Sequence, residues 1–164
     1  MGESTMPGPA ATPLAAVLVL LGCAGAGDEA VLELGTGEVE FEPLEDYQRV
    51  PLVAGPQGGH HLWLSLRAEG LAAGPADLEI EAVPLTAAEP PPRKAPVRAH
   101  LRPSPAAAGT VELIGWPAQL AQPECLVGVP LSVRVVLTDE RGHTASDERI
   151  VVPQSNPLLG ECAP

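Results

Sequence analysis

Apolar and polar residues alternate with a period of two in short blocks along much of the chain, the pattern of strands with one face buried and one face wet. In residues 37–43, Val39 and Phe41 fall on one face and Glu38, Glu40 and Glu42 on the other. Residues 61–67 set Leu62, Leu64 and Leu66 against His61, Trp63, Ser65 and Arg67. Residues 77–83 turn Leu78, Ile80 and Ala82 inward, and residues 97–101 do the same with Val97, Ala99 and Leu101. In residues 131–137 the inward set is Leu131, Val133, Val135 and Leu137, and residues 48–54, 110–114 and 148–152 are further strand candidates. Residues 55–59 (GPQGG), 70–75 and 139–142 (DERG) between them are turn chemistry. No long amphipathic helix is visible; residues 118–122 are the one candidate for a helical turn. Seven or eight strands at intervals of about ten residues predict an all-β fold, an antiparallel β-sandwich with immunoglobulin-like connectivity. Trp63 and Trp116 are the candidate aromatic residues of its core.

Composition sharpens this reading. The 164 residues include 20 Pro and 17 Gly, which alone would favour disorder, but 45% are hydrophobic, enough apolar surface to offset the entropy of ordering. Many short strands joined by Pro and Gly turns reconcile the two numbers. The formal charge is −12, and the few basic residues cluster only at Arg93 and Lys94. Phosphate backbones need Lys and Arg in numbers, so no nucleic-acid partner is expected, nor electrostatic docking on anionic lipid. Residues 84–96 carry five of the prolines and read as an extended loop, as do residues 103–109, with residues 97–101 between them as an edge strand.

Residues 14–21 (LAAVLVLL) are too short to span a bilayer as a helix but have the length of a secretory signal's apolar region. Leu20, Leu21, Gly22 and Cys23 follow one another at its end and resemble the lipobox of bacterial lipoproteins. The resemblance implies cleavage before Cys23, lipidation of Cys23 as the new first residue, and a tether over residues 24–30. Ala24 after the cysteine implies sorting to the outer membrane. Residues 1–13 depart from the pattern: they hold no Lys or Arg and carry Glu3, an acid that a start at Met6 would remove. An uncleaved signal, an edge helix or a strand with an incidental cysteine are the alternatives.

Lipidation of Cys23 would leave Cys125 and Cys162 as an even pair, able to form a disulfide in an oxidising compartment. Closing that loop of about 38 residues would stabilise the fold by roughly 3–4 kcal/mol in the chain-entropy model. Sites for chemistry are scarce. His60 and His61 are the only metal-ligand candidates singled out, and adjacent strand residues point to opposite faces. Residues 139–142 lack the spaced oxygens of a calcium loop, and no nucleophile elbow, zinc-protease helix or phosphate loop is present. No catalytic residue and no cofactor are therefore assigned.

Residues 33–46 (ELGTGEVEFEPLED), 55–71 (GPQGGHHLWLSLRAEGL) and 137–153 (LTDERGHTASDERIVVP) resemble uncharacterised lipoproteins of myxobacteria and related high-GC Gram-negative bacteria. That resemblance implies a location and a sandwich fold and transfers no binding residues. The resulting plan is a signal peptide over residues 1–22, a lipidated tether over 23–30, a sandwich over 31–153 and a tail over 154–164. The expected role is a non-enzymatic structural or interaction module, lipid-anchored in the cell envelope through Cys23, with an envelope protein as its possible partner. The alternative is a periplasmic protein binding a small ligand or a metal through His60 and His61.

Overall fold

The computed structural model describes Met1 and residues 29–55, 59–87 and 95–162. Beyond Met1, the expected signal peptide, Cys23 and most of the expected tether, together with residues 88–94 of the proline-rich loop, lie outside the described residues. The strands are β1 (Val31–Thr36), β2 (Glu42–Pro43), β3 (Gln48–Pro51), β4 (Val53–Ala54) and β5 (His60–Glu69), followed by β6 (Gly74–Pro84), β7 (Val97–Pro103), β8 (Thr110–Gln119), β9 (Leu131–Asp139) and β10 (Thr144–Gln154). Among the described residues there is no α-helix, and none long and apolar enough to cross a membrane.

The strands form one curled sheet in the order β2-β1-β5-β8-β7-β6-β9-β10-β3, with β4 beside β5. The curl turns at β7. Its residues 97–101 pair with β6, while Arg102 and Pro103 cross over to pair with Glu112 and Val111 of β8. Counting only the seven long strands, the first, second and fifth form one layer and the fourth, third, sixth and seventh the other, the connectivity of an immunoglobulin-type sandwich. The core between the layers is aliphatic. Leu34, Leu62, Leu64, Leu66, Leu78, Leu101, Val133, Val135 and Leu137 are all fully buried. They are the inward set of the alternation, because period-two side chains all reach one side of the sheet.

Several expectations need correction. Residues 37–43 are not a strand: only Glu42 and Pro43 pair, and Val39 is exposed whereas Phe41 is buried. Residues 48–54 break at Leu52 into β3, parallel to β10, and β4, antiparallel to β5, so this short segment bridges the two layers. Residues 118 and 119 belong to β8, and the turn comes later, as a 3-10 turn at Pro123–Cys125 with Pro at its start. Trp63 lies outside the core and Trp116 packs at its margin. Strand pairs extend β5, β6, β8, β9 and β10 beyond the alternating stretches, and β1, which was not expected, together with the split of residues 48–54 brings the number among the described residues to ten rather than seven or eight.

Antiparallel running of the long strands gives the sandwich two poles. At one lie the start of β1, the β5–β6 and β7–β8 connections and the β9–β10 turn. There Ala30 packs so closely on Gly70 that a Cβ at Gly70 would sit 3.0 Å from its Cα. At the other lie the end of β1, the starts of β5 and β9 and the end of β10. The tail is bound to this second pole: Asn156 Nδ2 donates to Leu52 O at 2.9 Å, Leu159 packs on the core, and Cys125 and Cys162 form a disulfide with Cα atoms 4.7 Å apart.

Asp139 organises the first pole. Its buried carboxylate accepts N–H bonds from Arg141 at 2.8 Å and His143 at 2.9 Å within the β9–β10 turn. A third comes from Ala72 at 3.0 Å across the β5–β6 connection. Burial alone would raise its pKa, but these donors and nearby His143 outweigh it and hold the group below its usual value. Depressed in the folded state, Asp139 stabilises the protein above its unfolded pKa of about 3.9, and that contribution is lost as pH falls through the folded value. Asp139→Asn should lower stability by about 2–4 kcal/mol in urea unfolding at neutral pH, with the gap to wild type narrowing at about pH 3. An equal gap at both pH values would contradict this.

Candidate functional site

The outer face of the β1-β5-β8 layer is not left to solvent. On β5, His61, Ser65 and the half-buried Trp63 and Arg67 point away from the core, and residues 37–41 fold back across them. Two glycines admit this cover. Gly35 has no space for a side chain because the Phe41 ring lies over it, and Gly115, at φ 66°, is crossed by the Glu38 carbonyl. The Arg67 guanidinium carbon sits 4.2 Å from the centre of the Phe41 ring, while its Nε is 3.6 Å from Glu112.

Ser65 ties the cover down. Pairing between β5 and β8 is irregular between Leu64 and Leu66, which leaves the Gly115 N–H without a ladder partner. The fully buried Ser65 hydroxyl accepts from that N–H at 3.0 Å and donates to the Gly37 carbonyl at 2.9 Å. Thr36 helps on the same side, donating to the Trp63 carbonyl at 2.7 Å.

Between this cover and β3 lies a cleft of about 260 Å³. Thr36, Glu38 and Glu42 line one wall, Gln48 and Arg49 the other, and Trp63 lies between them. Glu38, Glu42 and Arg49 are exposed and make no ion pair among the described residues. The Trp63 Nε1 atom is buried yet has no acceptor among the described residues. Next to the β3 wall, Tyr47 holds a left-handed φ of 63° with its side chain exposed, a conformation disfavoured for an aromatic residue. A larger hollow of about 420 Å³ at the first pole, lined by Glu29, Glu69 and backbone of Gly70 and Gly109, offers acids and no side-chain donor.

Behind the cleft, His61 is 94% buried and stands edge-on to Trp63, with ring centres 4.4 Å apart. Desolvation lowers its pKa, as does His60 to a smaller degree, against an opposing pull from the Glu38 carboxylate. Its Nε2 has no partner among the described residues, and neither has that of the half-buried His60. His61 is buried and His60 half-buried at the start of β5. No group of three or more His, Cys, Asp or Glu residues suited to a metal is found among the described residues.

Sequence reading thus found Trp63 and His61 but assigned neither to a cleft, and it missed Arg49, Glu38 and Glu42. The chain matches no protein-family model. No curated protein matches it either.

Ser65→Ala should lower stability by about 1–3 kcal/mol, because Gly115 N–H and Gly37 O both lose their buried partner. Val39→Ala, in the same cover segment but exposed, should stay within about 0.5 kcal/mol. Equal effects in chemical denaturation would mean that the cover is not anchored as described.

Proposed function

We propose that this protein is a lipid-anchored binding module of the bacterial cell envelope, held at the membrane through Cys23 and working by recognition, not catalysis. The observation that carries this reading is the polarity of the sandwich. β1 begins at one pole, and the cleft lies toward the other, where β1 ends and β3 runs beside the end of β10. A tether of residues 23–28, reaching at most about 20 Å when extended, would bring the first pole to the membrane and turn the cleft outward. Acidic Glu29 and Glu69 at the first pole disfavour direct contact with anionic lipid, in keeping with an anchor that is covalent.

Two further observations support the reading. The Cys125–Cys162 disulfide suits an oxidising compartment outside the cytoplasm. Among the described cleft residues the one hydroxyl, on Thr36, is committed to the Trp63 backbone carbonyl and is not free to act as a nucleophile. Binding of a small ligand, the alternative reading of the sequence, attaches better to this cleft than to His60 and His61, which stand on opposite faces of β5.

Cys23→Ser expressed in a Gram-negative host should shift the protein from the membrane fraction to the soluble periplasmic one with its melting temperature unchanged. Retention in the membrane fraction, or a much lower melting temperature, would overturn the anchor.

A further inference from the structure

We infer that the start of β5 is an acid-sensitive latch. A proton on the buried His61 ring releases β4 from β5 and leaves residues 48–54 attached to the β10 layer alone. The latch goes beyond the binding-module reading and depends on neither the lipid anchor nor a ligand.

The contact that would open is narrow. Among the described residues β4 pairs with two histidines and nothing else: Val53 lies opposite His61, and Ala54 opposite His60. The turn behind them is closed by the Gly55 N–H, which donates to the Gly59 carbonyl at 3.0 Å. The other end of the same segment is held more firmly. Residues 48–51 pair with residues 151–154 of β10, and the N–H of the fully buried Leu52 donates to the Gln154 carbonyl at 3.2 Å. A short pairing at the margin of a sheet opens locally at far lower cost than the whole fold, so β4 can leave while β3 stays.

Both histidines are badly placed to carry charge. His61 is 6% exposed, and its Nε2 has no acceptor among the described residues. The Nε2 of His60, on the opposite face of β5, is buried and equally without one. Across the strand pairs from His61, β4 and β8 bring the uncharged Val53 and Gln119. On β5 itself Trp63 stands edge-on to the ring at 4.4 Å, and His60 is the adjacent titratable group. The cover contributes Glu38, the one carboxylate that acts on the ring. Desolvation outweighs the pull of Glu38, and His60 adds to it, so the closed form holds His61 below its ordinary value of 6.5. The sign follows. Above 6.5 both forms are neutral and the latch is shut; as pH falls below 6.5 the open form takes the proton first and the closed form loses ground. His100 on β7 and His143 in the β9–β10 turn are exposed and away from β4.

The test is amide hydrogen exchange of the full chain at about pH 7.5 and about pH 5, corrected for intrinsic rates, with the histidine ring protons followed by NMR between them. Residues 53–54 and 60–61 should lose at least about tenfold in protection on acidification, and β9 less than about twofold. His61 should titrate below 6.5. His61→Phe keeps a ring beside Trp63 but takes no proton, and it should hold the protection of β4 at both pH values. Titration of wild-type His61 at or above 6.5, or unchanged protection of wild-type β4, overturns the proposal even if the variant does not fold. Equal losses in wild type and a folded His61→Phe overturn it as well, because the proton would then act elsewhere.

Discussion

A sheet that ends must do something with the peptide groups along its last strand. In this molecule the two sheet edges meet, and the carboxylate of Asp147 on β10 closes the gap, accepting the Leu34 N–H of β1 at 2.8 Å while Arg149 balances its charge at 3.1 Å. Just beyond, Asp46 accepts the Ile150 N–H at 2.9 Å, and the Tyr47 N–H donates to the Ile150 carbonyl at 2.6 Å. Side chains thus replace a missing strand pairing for one stretch of β10, and β3 supplies a true pairing for the next. The consequences spread outward. Because the chain between β2 and β3 is needed to seal β10, it is held at the seam between the layers, and the cleft is what remains between that seal and the cover on β5.

The aliphatic core and the outer cover illustrate two levels of specification. Leucine and valine at every second position suffice to define which face of β5, β6 and β9 turns inward, because burial of apolar surface is indifferent to partner. The cover is specified differently, by single atoms: a serine hydroxyl that answers a bulged N–H, and two glycines whose missing Cβ atoms leave room for Phe41 and the Glu38 carbonyl.

That difference explains what was legible in the sequence. Apart from Val97, which is exposed at the start of β7, the inward sets of the long strands, the turn at residues 139–142 and the pairing of Cys125 with Cys162 could be read because each follows from local alternation, turn chemistry or a count. Residues 37–43 could not: Val39 and Phe41 alternate with three glutamates as a strand would, yet Gly37 at φ 103° turns the chain and sends the two apolar residues to opposite fates. The cleft was invisible for a similar reason. Arg49 and Glu38 are eleven positions apart and line one cleft because β3 pairs with the far end of the chain, a parallel contact that no local pattern announces. Tryptophan was the misleading signal, since scarcity of aromatic residues invited placing Trp63 in a core that leucine already fills.

The chain is a polarised sandwich, cross-linked at one pole and bearing a mixed-charge cleft toward that end, and the proposed lipid tether would hold it by the other pole. The most direct test is the intact mass of the native protein, extracted from its host's membranes with detergent, before and after reduction. The account predicts residues 23–164 carrying acyl chains, with a gain of two hydrogens on reduction from the Cys125–Cys162 bond. An unmodified chain that retains residues 7–22 would contradict it, removing the anchor on which the outward display of the cleft depends.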